Sequence, residues 1–345
     1  MDNFAKLSPS ERAAVIGETS ANRGVAPIII EKDFWVCWTL RRLFALPKAD
    51  AGTLVFKGGT SLSKAYAAIR RFSEDIDLSF DRADLGYVGD RDPERAGLSK
   101  KQSSRLIDEL MVDVTAHVGG KLLPALDAAI STQLGDAAQN GWSLVIDNED
   151  PQTINFHYPP ALSRQEYQGI AYITPRVKLE LGARGDPWPT EEKAIRPYAA
   201  EDFPGYFEAP ESTVIVLTAG RTLWEKVTAL HAEAHRPEAS PTPQYFSRHY
   251  YDVAMLLETP EGKEAAADFG LLAQVVQHKS VYFRSNWASY DTAQPGTLRL
   301  TPAEHRLKGL RADYQAMQAM MFDEKPMSFE EVLARIKALQ ATLNP

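Results

Sequence analysis

The sequence predicts an α+β fold in two lobes: a mixed sheet with helices over residues 1–210 and an all-α lobe over 211–345. Three observations lead there. Short runs with strand-like alternation, "TLVFK", "DIDLSF", "WSLVIDN", "QTINFHY" and "RVKLELGAR", all fall in the first lobe. From "TAGRTLWEKVTALHAEAHR" onward, apolar residues recur at helical spacing. Between these regions, residues 185–211 carry Pro187, Pro189, Pro197, Pro204 and Pro210, a density that prevents a long regular element and marks a boundary.

Taken in order, "LSPSERAAVIGETSANRG" predicts a helix with Ser8 as N-cap, Pro9 at N1, Glu11 completing a capping box and Gly24 as the stop. "PIIIEKDFWVCWTLRRLFAL" predicts a second helix, with Phe34, Val36, Trp38 and Leu43 apolar. "TLVFK" is a strand ending at Gly58-Gly59, "SLSKAYAAI" a helix and "DIDLSF" a strand. Residues 81–100 read as a loop, and the stretch from Lys101 to Ile130 as one or two surface helices. "WSLVIDN" and "QTINFHY" form a hairpin, and "AYITPRVKLELGAR" adds a further strand. "YFSRHYYDVAMLLE", "EAAADFGLLAQVVQHKSVYF", "TPAEHRLKGLRADYQAMQAMM" and "SFEEVLARIKALQATL" complete the helical half.

The bulk numbers exclude several classes. A formal net charge of -8 argues against coating nucleic acid by charge alone. One cysteine, Cys37, excludes an internal disulfide and suits a reducing compartment. No apolar run approaches the roughly 20 residues of a membrane span, and the N-terminus lacks the pattern of a secretion signal. The expected location is cytoplasmic, with no membrane partner.

The chemistry concentrates in "FKGGTSLSKAYAAIRRFSEDIDLSF". Residues two apart on a strand share a face, so Asp75 and Asp77 are expected to converge, with Glu74 turned away. Two anions held that close need a cation between them, and hard oxygen ligands suit Mg²⁺ (or Mn²⁺) carrying substrate phosphates. Ahead of them, Lys57, Gly58, Gly59, Thr60 and Ser61 form a strand-to-helix turn where backbone N–H groups and hydroxyls face an anion. Glu180 in "RVKLELGAR" is the candidate third carboxylate and shares a strand face with Lys178. Three carboxylates around two metals imply transfer of a nucleotidyl group from an NTP. No Walker A sequence is present.

These residues resemble the AbiEii/AbiGii (MenT-like) nucleotidyltransferase toxins of the DNA polymerase β superfamily, whose pattern is Gly-Ser/Thr, a short helix, then Asp-x-Asp. "GGTSLSKAYAAIRRFSEDIDL" carries the signature, with Thr60 at the usual serine position and Ser61 next to it. "VKLEL" resembles the third-carboxylate strand. "RTLWEKVTALH" resembles the helix bearing an active-site lysine, here Lys226, and "RHYYDVAML" a helix bearing an aspartate, here Asp252. The matches run from about residue 28 to residue 258. The resemblance implies a bilobed, polymerase-β-like nucleotidyltransferase, the toxin of a toxin–antitoxin pair. It would add nucleotides to an RNA acceptor, the 3′ end of tRNA, and be paired with an antitoxin encoded nearby. It places Lys226 at the triphosphate and Asp252 at that lysine or the sugar.

Each residue also has a plainer reading. Lys226 pairs on a surface with Glu225 or Glu233; Asp252 pairs with Arg248 four residues earlier. Ser73, beside the nucleotide by position, is a phosphorylation candidate or a turn serine. Arg70 and Arg71 steer phosphate or RNA, or are solvated. His231 and His235 have zinc spacing but no third ligand. Cys37 and the clusters "DFWVCW" and "YFSRHYY" read as core. Two alternatives to an RNA substrate stand: a protein hydroxyl acceptor, and a non-catalytic nucleotide-binding module.

Overall fold

The computed structural model describes residues 1–168, 174–322 and 325–345. The first predicted residues of "AYITPRVKLELGAR", 171–173, lie outside them. The strands are β1 Leu54–Lys57, β2 Ile76–Phe80, β3 Ser143–Ile146, β4 Thr153–His157, β5 Arg176–Gly182, β6 Thr190–Ile195 and β7 Ser212–Leu217. Among the described residues they form one mixed seven-stranded sheet in the order β3-β4-β5-β2-β1-β7-β6. β2 runs antiparallel to β1 and parallel to β5.

The period-2 patterns decide which side of the central strands is which. In β5, Val177, Leu179 and Leu181 are buried while Arg176, Lys178 and Glu180 are half-buried. Register aligns Ile76 with Leu179 and Ile154, and Leu78 with Leu181 and Phe56, so one face is apolar. The helix Pro27–Phe44 supplies aromatic rings to that core: Trp35 stacks on Tyr158 at 5.3 Å between centroids and Trp38 on Phe156 at 5.9 Å. Cys37 is fully buried on this helix. The opposite face carries the polar residues, and the candidate chemistry is built there.

The chain divides into two compact units. One comprises Met1–Ala65, Phe72–Val88 and Asp108–Val216 and holds the sheet; the other comprises Tyr66–Arg71, Gly89–Ile107 and Leu217–Pro345. The second is built from helices that include Ala219–Ala234, Ser247–Leu256, Phe269–Tyr282, Glu304–Met317 and Phe329–Leu343. The first long helix, Pro9–Arg23, has the predicted Ser8–Glu11 capping box and ends at Gly24 with φ 63°.

Four elements differ from expectation. The helix predicted through Ile69 stops at Lys64. Residues 70 and 71 instead take backbone partners from a distant segment: the Phe322 amide donates to the Arg70 carbonyl at 2.9 Å and Arg71 bridges Met321. Tertiary pairing overrides local helix propensity there. β2 begins at Ile76, leaving Asp75 just outside the strand. The charged β6 was not anticipated because prolines in that region suggested loop, and β7, a β-branched run "STVIVL", falls within 211–345, which the sequence assigned to an all-α lobe.

Candidate active site

The carboxylates are positioned by strand register. β2 pairs Asp77 with Glu180 of β5, and on its other side with Lys57 of β1; Glu180 in turn pairs with Thr153 of β4. Directly paired residues point to the same face, with Cβ atoms about 5 Å apart. Thr153, Glu180, Asp77 and Lys57 therefore form a row across four strands. Neither acid was chosen by local propensity: the alternation that buries Leu78 and Leu179 forces Asp77 and Glu180 outward on the other face.

The glycine turn is fitted to one of these acids. Gly58 has φ 78°, and a Cβ built on it would lie 1.9 Å from Oδ2 of Asp77. The backbone needs the left-handed conformation, and the carboxylate needs the missing side chain. Asp77 is thus packed directly against the turn that opens the seven-residue helix Gly58–Lys64. Lys57 reaches past the row, its Nζ within 2.7 Å of an ideal Cβ at Gly185.

Thr60 and Ser61 are buried, and their hydroxyls are engaged within the turn. Thr60 Oγ1 donates to the Asp75 carbonyl at 2.5 Å and Ser61 Oγ to the Gly58 carbonyl at 3.0 Å. Thr60 thereby ties the turn to the acidic segment, a role the sequence did not suggest. Gly59 is buried behind Gly58, and Ser73 is half-buried two residues ahead of Asp75.

The helix Pro27–Phe44 grips both arms of this site through consecutive buried charges. Lys32 pairs with Glu74 beside Asp75. Asp33 pairs with Lys64, at the end of the turn helix, at 2.7 Å, and also accepts from the Tyr198 amide at 2.7 Å. Glu74, expected to face away, is therefore a structural partner of the core helix.

Negative charge is under-compensated at Asp75. Burial, then the neighbouring Glu74 and Glu180, push its carboxyl up from 3.8 to about 6, against the pull of Lys32 and Lys178. Lys178 forms an ion pair with Glu180 on the same strand face. Among the described residues, no three His, Cys, Asp or Glu side chains are gathered into a ready-made metal site. Asp75 lies before the strand rather than within it, so the two-residue rule does not lock it beside Asp77. The donor set nevertheless fits a hard divalent cation: adjacent carboxylates, one held in a destabilised ionised form, where added positive charge would relieve repulsion.

The helical unit contains a second charged cluster. Lys226 on Ala219–Ala234 places Nζ 2.9 Å from Oδ2 of Asp252 on Ser247–Leu256. Arg71 grips the same carboxylate with Nε on Oδ1 and Nη2 on Oδ2, both at 2.8 Å. All three side chains are buried. Facing Arg71 and Lys226, Asp252 is held far below the ordinary carboxylate range despite its burial. Lys226 is thus not a surface partner of Glu225 or Glu233, and Asp252 takes Arg71 and Lys226 rather than Arg248. Arg70 is exposed while Arg71 is buried. The sequence gives Arg70 and Arg71 the same local context, so no signal in it separates the buried arginine from the exposed one.

His231 serves the fold. His231 is fully buried; its Nε2 contacts the Ser289 carbonyl at 2.9 Å, and its Nδ1 accepts from the Arg299 amide at 3.1 Å. Both ring nitrogens are occupied, which leaves no lone pair for zinc.

A mixed sheet thus carries acids on adjacent strands beside a Gly-Gly turn. The chain belongs to the AbiEii family: the family model for "Nucleotidyl transferase AbiEii toxin, Type IV TA system" matches residues 40–335. It is accordingly a nucleotidyltransferase, the toxin of a type IV toxin–antitoxin system, with an NTP as substrate and a cognate antitoxin as partner. Among solved structures, MenT4, nucleotidyltransferase toxin Rv2826c from Mycobacterium tuberculosis H37Rv, is similar with a TM-score of 0.44 and 14% identity, over 96% of this chain and 99% of that one. No individually curated protein matches the chain. No helix among the described residues is long and apolar enough to cross a membrane.

Proposed function

We propose that the protein transfers NMP from a Mg²⁺–NTP (or Mn²⁺–NTP) to an RNA hydroxyl, the 3′ end of tRNA, and so blocks translation in the cytoplasm. The observation that carries this reading is the pairing of Asp77 with Glu180 in register, with Asp77 seated on Gly58. Asp75, Asp77 and Glu180 would hold the cation, which supplies charge neutralisation at the phosphates and lowers the cost of ionising the acceptor hydroxyl. The acceptor hydroxyl releases its proton to solvent as its oxygen forms a bond to the α-phosphorus, the bond from the α-phosphorus to the bridging oxygen breaks, and pyrophosphate leaves with that oxygen. Lys57, Gly58, Gly59, Thr60, Ser61 and Ser73 are assigned to the nucleotide side, with Thr60 and Ser61 acting by shaping the turn. Lys226 is assigned to the triphosphate and Asp252 to orienting Lys226. The two domains are proposed as 1–210 and 211–345.

The test is incubation of the protein with each α-labelled NTP, Mg²⁺ and total tRNA. Label entering tRNA, and lost in Asp77→Ala, is the expected result. Label entering protein instead moves the acceptor to a protein hydroxyl. An Asp77→Ala variant with full activity removes the carboxylate row from the chemistry.

A further inference from the structure

We infer that Arg71 is a positioning residue for nucleotide binding: its guanidinium fixes the plane of Asp252, and the fixed carboxylate holds the Lys226 ammonium in one place. This rests on the reading that Lys226 meets the triphosphate.

A carboxylate contacted by one lysine turns about its own axis, because an ammonium is a compact charge on a flexible stem. Arg71 removes that freedom. Its planar fork meets both oxygens side-on, Nε to Oδ1 and Nη2 to Oδ2, each at 2.8 Å. Oδ2 is then shared with Lys226 Nζ at 2.9 Å. Bidentate pairs of this kind add geometric definition as well as energy. The fork is itself held by the backbone. The Arg70 carbonyl accepts from the Phe322 amide at 2.9 Å, and the Arg70 amide donates to the hydroxyl of Tyr251, next to Asp252, at 3.3 Å.

Charge points to what the cluster receives. Two cations share one carboxylate, and the side chains of Arg71, Lys226 and Asp252 are 4%, 10% and 0% exposed. His249 adds no further charge, because burial and then the nearby Lys226 and Arg248 hold its imidazole neutral. In a nearly closed environment the Lys226 ammonium attracts an arriving anion more strongly than it would in water. Lys226, at the more open edge, is the group that meets it. Arg71 meets Asp252 through Nε and Nη2 and acts through that residue.

The test measures affinity for whichever of ATP, GTP, CTP and UTP the wild type binds with Mg²⁺, so it needs no acceptor. Arg71→Lys keeps the charge and loses the fork; Arg71→Gln is the second variant should the first not fold. Folded fraction is read from thermal unfolding. The expected result is an NTP Kd raised about tenfold in folded Arg71→Lys, with less than about a twofold further change when it is added to Asp252→Asn. Wild-type affinity in Arg71→Lys, an effect additive with Asp252→Asn, or a loss no greater than the loss of folded protein overturns the inference. Lys226→Ala separates the two readings. If it binds NTP as the wild type does, the assignment of Lys226 falls and the inference with it; if it loses binding while Arg71→Lys does not, only the inference falls.

Discussion

Replacing Asp75 with Asn in metal-free protein should raise stability above pH 7 while abolishing transfer. Burial and the charges of Glu74 and Glu180 lift this carboxyl from 3.8 to about 6. At about 1.4 kcal/mol per pH unit, the ionised form is disfavoured in the fold by at most about 3 kcal/mol. The side chain is only partly buried, and solvent screening reduces this to about 1–2 kcal/mol. Because the folded value is raised, the favourable contribution of the protonated acid is fully present below pH 3.8 and is lost as pH rises through about 6. The gain from Asn is therefore about a third of its full size at pH 4.5 and complete at pH 8, about 1–3 °C in Tm for a chain of this length. Thermal scans in EDTA at the two pH values measure it. Equal gains at both, or a loss at pH 8, refute the argument that Asp75 is electrostatically strained. Saturating Mg²⁺–NTP should reverse the ranking, since ligand binding then stabilises the wild type more than the variant.

The turn gives two further predictions. Gly58→Ala places a Cβ 1.9 Å from Oδ2 of Asp77 at φ 78° and should cost about 2 kcal/mol or more, with transfer down at least about a hundredfold; labelling of RNA at saturating NTP checks it. Thr60→Val removes the 2.5 Å hydrogen bond to the Asp75 carbonyl and should destabilise by about 1–3 kcal/mol in denaturant unfolding, whereas Thr60→Ser keeps the bond and should lose far less.

Much of the site was legible because it lies in short periodic segments. The alternation in "RVKLELG" placed Glu180 on the polar face, and the Gly-Gly turn before "DIDLSF" marked where the backbone bends; the sequence assigned its close approach to a phosphate, whereas Gly58 packs against the Asp77 carboxylate. Capping residues defined the Pro9–Arg23 helix for the same local reason. What local pattern does not encode is which strand lies beside which. β2 lies between β1 and β5 although β5 begins 96 residues after β2 ends, and only that register sets Asp77 against Glu180. Likewise, 181 residues separate Arg71 from Asp252, and the sequence, which left Arg71 to steer phosphate or RNA or to be solvated, did not pair them. The sequence by itself determined which side chains are turned out of the core and where the backbone bends. The tertiary structure decided which charges meet, because a buried charge takes the partner that packing brings to it, whatever its distance along the chain.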